Sequence, residues 1–186
     1  TKEQVAADIL NRGFDSAYTY GDGKELFATD HPTQAGDFAN ELATPADFSE
    51  AALEDMCILI GQTKNDRGHP IKIRPVSLHG AESQHFEFAR VLESTLTPGT
   101  DLNAKNIIKS QGMLPKGYHI NNYLEDDDAW YVKTDCPHGM IGFDRRPFSF
   151  TRDNDHSTDN LMAKGTERYS FGNSDPRGMF ASAGAA

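Results

Sequence analysis

Beyond Gly117 the chain breaks into short apolar runs, each bounded by Gly, Pro, Asp or Asn, and that punctuation leaves no room for long helices. Candidate strands fall at 118–121, 129–133, 140–143, 148–151 and 166–171, so the second half is predominantly β. The first half reads differently. Val5, Ile9 and Leu10 recur at helical spacing over 1–15, where Thr1 and Gln4 have capping-box spacing. Ser49 suits an N-cap, Glu50 lies where the helix dipole favours acid, and Ala52, Leu53, Met56, Cys57, Leu59 and Ile60 form one stripe. This predicts a helix from 49 to about 64, closed by the Asn65-Asp66-Arg67-Gly68 turn. Residues 71–76 alternate as a strand does, with Pro75 closing it or placing it at an edge. A further helix is predicted over 80–94, leaving through Pro98 and Gly99. Leu26 and Phe27 read as a short strand, 31–48 as a polar surface excursion, 100–117 as loop or short turns, and Ala181-Ser182-Ala183-Gly184-Ala185-Ala186 as a frayed tail. The residues alone therefore specify a mixed, acidic domain.

At 186 residues the chain can bury a real core, since a domain near this size removes roughly 70% of its unfolded surface from water. Its mean hydropathy of -0.61 suits a subunit with long loops and wet interfaces. With 28 acidic against 18 basic residues, the net charge of -10 opposes affinity for DNA phosphates or an anionic membrane face. Cys57 and Cys136 are too few for a disulfide framework and read as reduced thiols. No apolar run approaches the roughly 18 residues needed to span a bilayer, and the N-terminus lacks a signal-peptide pattern, so synthesis and use in a cytoplasm are expected. The absence of an initiator Met predicts that Thr1 opens a processed or partial product.

Three clusters are candidates for chemistry. Asp30-His31-Pro32 places a carboxylate beside an imidazole, the pairing of general acid–base catalysis. Neighbours on a strand point to opposite faces, however, and Pro32 holds His31 extended, which favours a turn cap instead. Cys136, His138 and His156 offer zinc-ligand atoms without a recognised spacing. Glu125 with Asp126, Asp127 and Asp128 concentrates the oxygens that hard cations choose, yet lacks an EF-hand spacing and reads better as a solvated turn above Trp130. No phosphate loop, nucleophile elbow or basic aromatic stripe occurs, so no cofactor, metal or catalytic residue is assigned.

The run Tyr20-Gly21-Asp22-Gly23-Lys24-Glu25-Leu26-Phe27-Ala28-Thr29-Asp30-His31-Pro32, directly after a helix, resembles a segment of the major capsid proteins of tailed bacteriophages, especially the Mu-like group. Further stretches are similar in the same order: Phe48 to Glu54 before the Asp66–Gly68 turn, Arg74-Pro75, Ala89 to Ser94, Asn103 to Ile107, Tyr123-Leu124 through Tyr131, and Asp175-Pro176-Arg177-Gly178. The similarity spans about 11–178. Two departures are Pro75-Val76-Ser77, where members often carry two prolines, and Pro176 in place of a frequent tryptophan.

The resemblance implies an α+β subunit of the Hong Kong 97 type capsid fold. By that analogy 1–70 supplies the end of the spine helix and part of the peripheral domain, 71–146 the axial domain, and 147–186 the return to the peripheral domain and tail. The family's N-terminal arm and extended loop precede the spine helix and fall outside this chain. The implied function is a structural virion protein that assembles in the host cytoplasm into hexamers and pentamers of an icosahedral or prolate head. Such a shell encloses double-stranded DNA without sequence-specific binding, and its partners are itself, scaffold, portal and decoration proteins, with no membrane. Interface candidates are Asp22, Lys24, Asp30, His31, Arg67, Asp126, Asp127, Asp128, Arg145, Arg146 and Arg177, the arginines being suited to bidentate ion pairs. Two alternatives stand beside it: a metal-dependent hydrolase built on Asp30, His31 and Asp126 to Asp128, and a cellular nanocompartment shell of the same fold.

Overall fold

A computed structural model describes residues 2–96, 105–154, 157, 158 and 160–185. The expected Thr1 cap, the exit through Pro98 and Gly99, Asn103, His156 and the last alanine lie outside the described residues. The architecture is mixed α+β with separate sheets. The chain runs α1 (Lys2–Asn11), a hairpin of β1 (His31–Thr33) and β2 (Gly36–Phe38), α2 (Glu50–Gly61), β3 (Pro75–Gly80), α3 (His85–Glu93) and α4 (Ile107–Gln111). It continues with β4 (Tyr118–Ile120), β5 (Trp130–Thr134), β6 (Met140–Asn154), β7 (Leu161–Asn173) and β8 (Met179–Ser182).

The centre is a four-stranded sheet in the order β4-β3-β5-β8. Strands β3 and β4 are parallel, whereas β5 runs antiparallel to both β3 and β8. Successive side chains of a strand face opposite sides, and here both sides are apolar. Trp130, Val132 and Phe180 turn toward Leu53, Met56, Ile60, Phe88, Val91 and Ile108 from α2, α3 and α4. Their neighbours Tyr131, Met179 and Ala181 turn toward Leu10, Leu26 and Phe27. The sheet is thus covered twice, by helices on one side and by α1 with the 20–30 segment on the other. Phe27 lies 5.5 Å from Tyr131 and 5.0 Å from Phe14, ring to ring. On the helical side Phe48 stacks edge-on against Phe88 at 4.5 Å and Trp130 at 5.5 Å. Trp130 sits fully buried and donates its indole N–H to Ala46 at 3.0 Å.

Helix α2 forms where its stripe predicts, with the Ser49 hydroxyl accepting from Ala52 N at 3.1 Å. Three expectations are corrected and one is refined. Leu26 and Phe27 are not a strand but a bend whose side chains are buried, because apolar content drives them under the sheet without any ladder partner. The strand expected over 71–76 begins at Pro75, which lacks an N–H and is accommodated at the first position of β3. The polar stretch 31–48 runs largely exposed over the surface, as expected, but it is anchored at two points, where His31 and Asn40 are buried, and β1 with β2 forms a hairpin inside it. The expected frayed tail contains the end of β8, where Phe180, Ala181 and Ser182 are wholly buried in the last strand of the central sheet. The approach to that strand is close because the base of β6 crosses so near that a Cβ on Gly178 would lie 2.3 Å from Gly139 Cα.

The expected strands 140–143, 148–151 and 166–171 are pieces of one long antiparallel hairpin, β6 with β7. Its principal contact with the body is through α1, where Lys2 pairs with Asp144 at 2.9 Å and Glu167 at 2.6 Å. Among the described residues no helix is long and apolar enough to cross a membrane.

Candidate functional site

The segment 20–40 ties itself into a polar knot. Its Asp-Gly turn places Gly23 at φ +82°, and the Asp22 carboxylate accepts from Lys24 N at 3.1 Å. The same carboxylate meets His31 Nδ1 at 2.6 Å. On the far side of the ring, Nε2 lies 3.0 Å from Asn40 Oδ1. Asn40 Oδ1 also accepts from Ala28 N at 2.9 Å, and its Nδ2 donates to Leu26 O, Pro176 O and Met179 O at 2.7, 3.1 and 3.3 Å. These backbone partners settle which way the amide points. Both nitrogens of His31 therefore face oxygen atoms of polar side chains. Burial works against the charge on Asp22, but the His31 hydrogen bond and backbone donors outweigh it and hold the carboxyl below the ordinary range.

The structure thus separates the sequence-adjacent Asp30 and His31. Asp30 forms an ion pair with Lys24 at the surface, while His31 is 2% exposed with both nitrogens engaged. A ring so placed holds strand β1 to the loop before it and has no face from which to exchange a proton with a substrate. The partner Asn40 carries no signal in the sequence beyond its polar surroundings.

Arg177 forms a second knot. Its side chain is 9% exposed, donates from Nε to Lys64 O at 2.9 Å, and pairs with Asp66 at 2.5 Å and Asp175 at 3.3 Å. The guanidinium lies 5.1 Å from the Phe38 ring centre. It joins the turn after α2 to the strand β8 within one chain. Arg67, beside Asp66, is exposed. Asp126 caps its own turn by accepting from Asp128 N and Ala129 N at 3.0 and 3.2 Å, and Asp127 and Asp128 are exposed. Cys57 and Cys136 are free thiols, each pushed up to about 11 by burial, Cys57 also by Glu54 and Cys136 also by Asp175. Among the described residues no three His, Cys, Asp or Glu side chains converge as they would around a metal ion.

Two histidines meet between β3 and β4, where His79 and His119 lie opposite one another with ring centres 5.2 Å apart. Burial, the His119 ring and Lys133 bring the His79 value down to about 4. Unfolded His79 binds a proton below its ordinary 6.5 and the folded one does not, so stability attributable to it is complete above pH 6.5 and falls as pH drops toward 4. Acid titration of the wild type between these values should lose a few kcal/mol, since each tenfold difference in proton affinity between the two states is worth about 1.4 kcal/mol. His79→Gln should flatten that part of the curve. An identical pH profile for the variant would dismiss His79 as the cause.

Arg145 and Arg146 stand on the one part of the molecule with no covering layer among the described residues. Every residue of β6 from 142 to 154 is exposed, as are 161–165 of β7. Two register shifts, between Asp144 and Arg146 and between Arg146 and Ser149, twist the ribbon there. Arg146 is paired directly with Arg168, an unfavourable like-charge pair that no carboxylate relieves among the described residues. Beyond the shifts, Phe148, Phe150 and Arg152 share one face with Leu161, Ala163 and Gly165 of the partner strand. Phe148 is 65%, Phe150 51% and Leu161 70% exposed. The Phe148 ring lies over Gly165, and the Arg152 guanidinium lies 5.2 Å from the Phe150 ring centre. This apolar face with cationic edges is legible in the sequence only in pieces, because the sequence shows neither the length of the ribbon nor its lack of cover. In comparison with known proteins, no family model and no curated sequence matches this chain.

Proposed function

We propose that this protein is a shell subunit that tiles with copies of itself, a structural virion protein of the Hong Kong 97 type whose closed head encloses DNA. The observation that carries the reading is the β6–β7 ribbon. A two-stranded ribbon with both faces wet is marginal in isolation, and one that exposes Phe143, Phe148, Phe150, Leu161 and Met162 is stabilised when another surface covers it. The order of the family-like segments supports the same reading. Weak contacts made with several neighbours at once add up to a stable shell.

The test is sedimentation velocity and negative-stain electron microscopy of the full-length protein. Closed particles of uniform size are expected, and a monomer at every concentration would overturn the reading. Arg145→Glu combined with Arg146→Glu should cut particle yield at least tenfold, because reversing interface charges costs upward of ~1.4 kcal/mol per contact. Both side chains are exposed and lie outside every ion pair among the described residues, so the thermal midpoint of the subunit should stay within a few degrees.

A further inference from the structure

The hairpin needs a surface to cover it, and the body offers a matching one elsewhere. Between α2 and α4 lies a shallow groove of about 260 Å³ lined by Glu54, Cys57, Ile58, Ile107, Ile108 and Met113. Ile58 and Ile107 are 56% and 54% exposed there, an unusual pair of β-branched apolar side chains to leave in water. The rim is acidic: Glu54 lines it, and Asp55 is exposed beside it on α2. The ribbon has the opposite character. Arg145, Arg146, Arg152, Lys164 and Arg168 lie on it against three acids, of which Asp144 and Glu167 are held by Lys2 and Asp153, opposite Met162, alternates to the face away from Phe150 and Arg152. Shape agrees with charge, for Ala163 and Gly165 are small and the Phe148 ring lies over Gly165, so the rings form a low apolar face suited to a shallow groove.

From this complementarity we propose that the Phe148–Phe150 face of one subunit seats in the α2–α4 groove of a second copy, rings against Ile58 and Ile107, arginines against Glu54 and Asp55. The contact is heterologous: each subunit gives a ribbon and receives one, which builds a ring or lattice where a two-fold contact would stop at a dimer. It rests on the shell-subunit reading and specifies which two surfaces of the chain meet. The ribbon's own body holds it through α1, so its apolar face stays available to a neighbour.

The test uses two versions of the full chain, both with Cys57→Ala and Cys136→Ser, one carrying Gln111→Cys at the groove and the other, tagged for mass, carrying Ala163→Cys on the ribbon. Neither site removes an apolar anchor. After mixing and mild oxidation, most chains should appear as a mixed cross-linked pair, and Phe148→Ser with Phe150→Ser in the tagged chain should abolish it. Particles without that cross-link, or with only Ala163→Cys chains joined to each other, would overturn the groove while leaving self-assembly intact. A cross-link inside a single chain carrying both cysteines, in place of one between chains, would show the ribbon folding back and likewise overturn it. Absence of both particles and cross-link would overturn the groove and the shell reading together. Hydrogen exchange on the unmodified protein is the independent measurement: assembly should slow amides at both 54–58 and 148–165, and slowing on the ribbon alone would count against the groove.

Discussion

Replacing Asn40 by Leu should cost roughly 3–5 kcal/mol of folding stability, a loss as large as truncating a buried aromatic of the core. The two side chains share the same branched shape, with Leu the bulkier, so the change leaves no cavity and its main effect is to remove the hydrogen bonds. Leu26 O, Pro176 O and Met179 O lose their donor, Ala28 N loses its acceptor, and His31 Nε2 faces a methyl group. Each buried group left unpaired costs about 1–3 kcal/mol, while the added apolar burial returns about 1.5–3 kcal/mol in all, so the unpaired groups prevail. The effect should reach β8 although it is far off in sequence, because Asn40 is what fastens the 26–31 segment to 176–179. Urea unfolding measures it, with Asp30→Asn as a surface comparison expected within about 0.5 kcal/mol. A loss below about 1 kcal/mol for Asn40→Leu would mean the knot contributes little.

Phe148→Ser with Phe150→Ser should have the reverse profile, leaving the subunit folded and suppressing assembly. Both rings are more than half exposed within the subunit, so their removal exposes little new apolar surface and should shift the thermal midpoint by only a degree or two. At a subunit contact each ring would be covered, and losing two such anchors at about 2 kcal/mol apiece weakens the contact roughly a thousandfold. Sedimentation velocity should show the shift from particles to slow species at the same protein concentration. Equal particle yield in the double variant would remove the ribbon from the assembly mechanism, and a subunit that melts far earlier would show that the rings serve its own fold.

How much of this is readable beforehand depends on whether a residue's partner lies nearby in sequence. The Ser49 cap and the α2 stripe are legible because the hydroxyl and the amide it caps are three residues apart and the stripe repeats every turn. The position of β5 is legible for a similar reason, since Trp130, Tyr131 and Val132 form an apolar run bounded by turn residues. The role of His31 is not. Its neighbour Asp30 suggests a pair, but an extended backbone turns adjacent side chains apart, and the carboxylate it meets is Asp22, reached through the Asp-Gly turn. Arg177 reads as an intersubunit donor because arginine surrounded by polar residues resembles surface. Its acceptors, Lys64 O and Asp66, approach only when the turn after α2 comes beside β8.

By itself, the sequence determined local features: the α2 helix with its cap, the apolar run that becomes β5, that thiols are few, and that acidic residues outnumber basic ones. These follow from backbone preference, short-range periodicity and net charge, which need no knowledge of distant neighbours. Tertiary structure alone decided that Phe180 to Ser182 are core instead of tail, that Asn40 and Arg177 are internal fasteners, and that β6 and β7 form a single uncovered ribbon. Burial, pairing and exposure depend on which segments meet across a hundred residues or more, and chain geometry supplies that choice only once the whole molecule has closed on its sheet.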